Sequence, residues 1–237
     1  MKFAIIAAGE GSRLAQEGVE LPKPLVRLAG EPMIERLIRI FRECGAESIS
    51  IIVNTLRPET EAFVRQLMAD GRAGVPIHLV VKSTPSSMHS FSELAPSLQG
   101  SPFCLTTVDT IFREQEFARF IEDFRQSDAD GMMAVTDYID DEKPLYVGTD
   151  DELRITGFYD TPQPDSRYIS GGIYCLRDSA LEVLRHCIEQ GQSRMRNFQR
   201  ALVAEGLRLK ARPLSKILDV DHAGDIRKAE EFLGGEK

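Results

Sequence analysis

Two cations near the N-terminus stand in backbone contexts suited to holding phosphate. Arg13 ends the run AAGEGSR (7–13), which follows the apolar stretch KFAII, and Lys23 lies between Pro22 and Pro24. Gly9 and Gly11 permit backbone angles and close approaches that a β-carbon would block. Successive exposed N–H groups can then face an anion. An arginine at that point adds a fixed charge and a two-pronged donor for phosphate oxygens. Flanking prolines stiffen the segment that presents the Lys23 ammonium. Taken alone, the glycine turn fits a dinucleotide-binding loop, another kind of phosphate cradle, or a plain tight turn. The dinucleotide fingerprint asks for a third glycine and an acid about 20 positions further on. Leu14 occupies the glycine position, and the second apolar strand ends in Asn54 with no acid beside it. The pattern G-x-x-x-x-G-K-[ST] is absent.

Three aspartates close later apolar runs. Asp109 ends the apolar run PFCLTTVD, and Asp219 and Asp221 close KILDVD. Structural roles compete: Asp109 as a helix cap or turn residue, Asp219 and Asp221 as loop acids before the last helix. His78, His89, His186 and His222 form no evident cluster, and Cys44, Cys104, Cys175 and Cys187 are scattered without metal or redox spacing. Buried free thiols in a reducing compartment, the cytoplasm, are the expectation.

The elements that must position these residues alternate along the first half of the chain. Apolar runs at 2–8, 48–54, 77–82, 102–109 and 131–138 read as strands, the first apolar on both faces as a central parallel strand is. Between them, helices are expected at 32–44, 58–70 and 114–126, with a short one over SSMHSFSELAPSL ending before Pro96. The later chain reads as a hairpin (LYVGTDDELRITGF), the strand SGGIYCL, helices at 178–190 and 196–205, a strand over LRLKARPL, and a last helix in AGDIRKAEEFL. The alternation predicts an α/β fold, a Rossmann-like three-layer αβα sandwich with a mostly parallel mixed sheet. One domain spans 1–237, with a core over 1–138 and 215–237 and a lobe over 139–214 that lies over the strand ends. Ligands of such sheets bind beyond the carboxyl ends of the strands, where AAGEGSR lies.

Composition narrows the partners. The 237 residues carry a net charge of −8 and are 42% hydrophobic. A nucleic-acid binder whose affinity comes from a basic face is therefore not expected. No apolar run approaches the ~20 residues of a membrane span, and no secretory leader is evident.

With these residues in view, the sequence resembles the nucleotidyltransferases that activate sugar phosphates and related alcohol phosphates. Their signature is similar to Gly9-x-Gly11-Ser12-Arg13 followed by Pro22-Lys23-Pro24. TTVDTIF, GGIYCL and DVDHAGDI resemble further family segments, so the likeness spans residues 4 to 232. It implies an NTP joined to a phosphomonoester with Mg²⁺-dependent release of pyrophosphate. Arg13 and Lys23 are then the catalytic cations. Ala7, Ala8, Gly9, Gly11, Ser12, Ser86 and Ser87 are placed at the nucleotide, and Gly171, Gly172 and Arg196 at the acceptor. Asp109, Asp219 and Asp221 are placed at the metal, Mg²⁺ being a hard ion that takes one or two carboxylates together with substrate oxygens and water. A phosphomonoester is already largely dianionic at pH 7, its second pKa being near ~6, so the nucleophile needs no general base. Members acting on hexose 1-phosphates carry E-K-P after the hairpin. Here Tyr159-Asp160-Thr161-Pro162 replaces it, with Thr161 at the lysine position. A sugar 1-phosphate is the first expectation for the acceptor, and phosphocholine with CTP the alternative. A non-catalytic nucleotide-binding module of this fold, and a glycosyltransferase using Asp219-Val220-Asp221 as its D-x-D, remain as other readings.

Overall fold

The computed structural model describes residues 1–140 and 143–234; positions 141–142 of the expected lobe and 235–237 of the expected core lie outside the described residues. The chain runs through β1 (Lys2–Ala7), α1 (Ser12–Gln16), a 3-10 turn (Lys23–Leu25), β2 (Arg27–Leu28), β3 (Glu31–Pro32), α2 (Met33–Glu43), β4 (Ile49–Val53), α3 (Pro58–Ala69) and β5 (Ile77–Val81). It continues with α4 (Ser87–Leu98), β6 (Phe103–Thr107), β7 (Thr110–Ile111), α5 (Glu114–Gln126), β8 (Gly131–Thr136), β9 (Tyr146–Thr149), β10 (Ile155–Tyr159) and β11 (Tyr168–Leu176). The last elements are α6 (Ser179–Glu189), α7 (Met195–Ala204), β12 (Leu209–Pro213), β13 (Leu218–Asp219) and α8 (Ala223–Gly234).

One nine-stranded sheet carries the fold, in the order β10-β9-β11-β6-β1-β4-β5, with β8 added to β11 and β12 to β8. The pairings make β10 and β11 run against the other strands, so the sheet is mixed but mostly parallel. β1 lies in its middle and alternates between two cores. Phe3, Ile5 and Ala7 pack with α2, α3 and α5 on one face. Ala4 and Ile6 pack with α4, α6 and α7 on the other. That is why KFAIIA is apolar on both faces. The strands of 139–214 belong to this same sheet.

α4 does not stop before Pro96, as the sequence had suggested; Pro96 lies inside its last turn. Met88, Phe91, Leu94 and Leu98 bury one face against the second core. That burial outweighs the single ladder bond a proline forgoes near a helix end.

The pairing of β11 opens the sheet at Ser170–Gly172. β8 follows β11 along one edge. The other edge is shared by β9, at Tyr168 and Ile169, and β6, from Ile173 onward. Ser170, Gly171 and Gly172 fall in the gap, at a register shift. Gly172 adopts φ +71°, and a β-carbon on Gly171 would come within 2.1 Å of Ile217 Cδ1 and 3.1 Å of the Ala134 carbonyl. Both glycines are required by this bend.

Candidate active site

The loop after β1 is anchored at both ends. Ala7 and Leu14 are buried in the core, while Gly9 and Glu10 between them are exposed. Gly11 has φ +64°, and its Cα faces Lys23 so closely that a β-carbon would lie 3.0 Å from Lys23 Cβ. Glycine there serves both the left-handed turn and the approach of the P-K-P segment. The backbone N–H groups of Gly9, Glu10 and Gly11 donate to no acceptor among the described residues. A cavity of about 320 Å³ opens beside them, walled by Ala7, Ala8, Gly9, Thr84, Ser86 and Ser87. Ser86 caps α4, its hydroxyl accepting from the His89 N–H and bonding His89 Nδ1.

Four charges meet at one end of this cavity. Lys23 Nζ lies 2.5 Å from Asp109 Oδ2 and 2.6 Å from Asp221 Oδ1. Arg13 NH1 reaches Asp221 Oδ2 at 3.1 Å. The Lys23 side chain is only 11% exposed and Asp109 18%, whereas Asp221 is 44% exposed. Burial pulls the Lys23 pKa down, but Asp109 and then Asp221 more than reverse this, so the ammonium is held above the usual lysine range. Asp221 is brought to this point by short pairings at the C-terminal end. β13 pairs with β7 next to Asp109, and the Val220 N–H donates to the Asp109 carbonyl. Glu17 then accepts from the Ala223 N–H and pairs with His222 at 2.6 Å. The hydrogen bond from His222 holds the Glu17 carboxyl below its ordinary pKa, and the same bond raises His222.

A second cleft, of about 450 Å³, lies on the other side of these charges. Arg13, Gly171, Asp219 and Asp221 line it, with Tyr138 and Lys228. Arg196 is on its wall but engaged: it donates to Asp160 at 2.5 Å and to the Lys143 carbonyl. Arg200 joins the same aspartate at 2.8 Å, and these two arginines hold the Asp160 carboxyl below its ordinary range. Lys228 from α8 pairs with Asp140 and Asp225.

The acids suit a hard divalent ion. Two carboxylate oxygens from distant parts of the chain already converge on one cationic nitrogen, and Asp219 follows on the exposed end of β13. Among the described residues no group of three or more acids, histidines or cysteines forms a complete cage. An ion that keeps waters and substrate oxygens does not need one.

The structure therefore brings Arg13, Lys23, Asp109 and Asp221 into one cluster. It puts Ala7, Ala8, Gly9, Ser86 and Ser87 on one side of it, and Gly171, Asp219 and Arg196 on the other. Gly11 and Ser12 belong to the loop itself, and Gly172 lies beside Thr110. Sequence reasoning missed Asn54, Tyr138, Asp140 and Lys228. Only Asn54 carried a signal, as the lone polar residue closing the strand ISIIVN. All four cysteines are free, three of them buried and Cys44 half-buried. No helix among the described residues is long and apolar enough to cross a membrane.

Residues 3–206 match the family model of the MobA-like NTP transferase domain. CMP-5'-(3-aminopropyl)phosphonate synthase of Streptomyces rubellomurinus is 26% identical, over 97% of this chain and 38% of its own length. Mannose-1-phosphate guanyltransferase of Schizosaccharomyces pombe is 31% identical, over 77% of this chain and 51% of its own. The chain thus spans about half or less of these relatives. The structure of the inositol-1-phosphate CTP transferase from T. maritima superimposes with a TM-score of 0.78 at 18% identity, covering 98% of this chain and 97% of that one. That likeness is one of fold.

Proposed function

The chain belongs to the MobA-like NTP transferase domain family, and on that premise we propose that it transfers the nucleotidyl group of an NTP to a phosphomonoester, releasing pyrophosphate. The observation that carries this reading is the shared charge cluster of Arg13, Lys23, Asp109 and Asp221, with a cavity on each side. A reaction joining two phosphate-bearing substrates needs two pockets and one place to neutralise charge.

In this account the nucleoside occupies the cavity walled by Ala8, Gly9, Ser86 and Ser87. The free N–H groups of Gly9, Glu10 and Gly11 take phosphate oxygens of the NTP. Arg13 and Lys23 exchange their present carboxylate partners for the triphosphate and stabilise the charge that grows on the departing pyrophosphate. Asp109, Asp219 and Asp221 would hold Mg²⁺, which when bound neutralises phosphate charge and fixes its geometry. The acceptor lies in the second cleft, against Gly171. Its phosphate attacks the α-phosphorus in line, already dianionic at neutral pH, and needs only positioning. The absence of a clustered histidine base fits that requirement.

The acceptor is a sugar 1-phosphate or a small alcohol phosphate such as phosphocholine. One observation favours the second. Thr161 stands where hexose-specific members have lysine, and Asp160 beside it ties up Arg196 and Arg200. Pyrophosphate release, measured with each common NTP against a panel of sugar 1-phosphates and phosphocholine in Mg²⁺, tests the proposal. Release with at least one pair is expected; none with any pair refutes it.

A further inference from the structure

Asn54 directly follows β4, beside the nucleotide loop, and is 5% exposed. Its single amide makes four hydrogen bonds. Nδ2 donates to the Gly9 carbonyl at 3.0 Å and the Ala8 carbonyl at 3.3 Å. Oδ1 accepts from the N–H groups of Leu56 and Arg57, both at 3.0 Å. Both donors and both acceptor lone pairs of the side chain are thereby spent. Ala8 and Gly9 line the nucleoside cavity, and the N–H groups of Gly9, Glu10 and Gly11 have no protein acceptor among the described residues. A peptide loop carries acceptors and donors in equal number. To receive an anion it must turn its carbonyls away, and buried carbonyls need donors.

We infer that Asn54 is the positioning residue of the nucleotide loop: it draws the Ala8 and Gly9 carbonyls inward, so that an incoming NTP meets N–H groups rather than carbonyl oxygens. Asn54 touches no substrate and acts through the loop. Asparagine suits the task because one short side chain offers two donors and an acceptor. Aspartate would keep the Leu56 and Arg57 bonds, lose both donors, and set a negative charge against two carbonyl oxygens. The inference rests on the nucleotidyltransferase reading above.

Asn54→Asp and Asn54→Ala, in the full chain, separate positioning from mere capping. Titration calorimetry with Mg²⁺ and ATP, CTP, GTP or UTP gives Kd; steady-state pyrophosphate release gives KM and kcat; thermal unfolding and amide exchange at residues 8–14 report the fold and the loop. Two lost neutral hydrogen bonds correspond to about tenfold or more in affinity. The expected result for Asn54→Asp is that rise in NTP Kd and KM and faster exchange at residues 9–11, in a protein that still unfolds cooperatively but at a lowered melting temperature. The acceptor KM should move less than about threefold. Asn54→Ala should weaken NTP binding similarly, which excludes simple charge repulsion. Wild-type NTP binding and loop exchange in Asn54→Asp would overturn the inference, as would a loss confined to the charged variant while Asn54→Ala stays folded. A wild-type protein that binds no NTP would overturn this inference and the nucleotidyltransferase reading together; in every other failure that reading survives.

Discussion

Replacing Lys23 by methionine removes the cation that joins the two halves of the site while keeping most of its bulk. Its stability cost can be worked from the contacts. Removing one partner of a fully buried ion pair costs about 3–5 kcal/mol. Asp109, at 18% exposed, approaches that case, whereas Asp221, at 44%, behaves as a surface partner worth at most about 1 kcal/mol. A loss of about 2–4 kcal/mol at pH 7 follows, lowering the melting temperature by roughly 4–15 °C. The catalytic cost is separate. A preorganised cation aimed at developing charge is worth about 10²–10³ in kcat. The two effects have different partners, so Asp109→Asn should rescue part of the stability loss and none of the rate. There is also a pH signature. The folded-state pKa of Lys23 is raised, so its contribution is complete below the ordinary lysine value of about 10.4 and is lost as pH climbs through the folded pKa. Above that point wild type and Lys23→Met should converge in stability. Thermal unfolding against pH, with pyrophosphate-release kinetics, measures all of this. A kcat within about threefold of wild type, or strictly additive stability losses with Asp109→Asn, would refute the reasoning.

Gly171→Ala should destabilise the protein by about 1–3 kcal/mol, because the new methyl meets Ile217 and the Ala134 carbonyl; shortening Ile217 to alanine should return part of the lost melting temperature. Gly11→Ala combines a left-handed φ with a contact on Lys23 Cβ. It is expected to cost about 1–2 kcal/mol and to slow turnover together, read by unfolding and by kcat. Glu114 is held below its ordinary pKa by paired hydrogen bonds from Arg39, with Arg36 adding to the attraction against burial. A depressed folded pKa gives stability that is present above about pH 4.3 and lost as pH falls through the folded value. Glu114→Gln should therefore lose less stability than wild type between pH 5 and 3 in denaturant titrations.

Much of this arrangement was legible in residue order. The two-faced β1 and the helices after β4 and β6 are local patterns with local causes; Gly171 and Gly172 were picked out by the family resemblance, and the close contacts that require Gly11 and Gly171 are tertiary. Arg13 and Lys23 were legible because proline and glycine mark their backbones. What was not legible depends on tertiary pairing. Nothing in KILDVD separates Asp221, which meets Lys23, from Asp219, which ends β13 on the cleft wall; the β7–β13 pairing decides it. Arg196 looked available to a substrate, but Asp160 across the hairpin engages it. Pro96 suggested a helix end because local propensity was weighed without the buried face beneath it. Asn54 was noticed only as the absence of an acid, since its four bonds arise from loops that meet in space.

Phosphorus NMR of the reaction mixture tests the central claim most directly. With the NTP and phosphomonoester pair that yields pyrophosphate, two new coupled phosphorus signals from a nucleoside diphosphate ester should grow at the same rate as pyrophosphate, and chelation of divalent ions should stop both. Formation of free nucleoside monophosphate with pyrophosphate, or of nucleoside diphosphate with inorganic phosphate, and no joined product, would contradict the account.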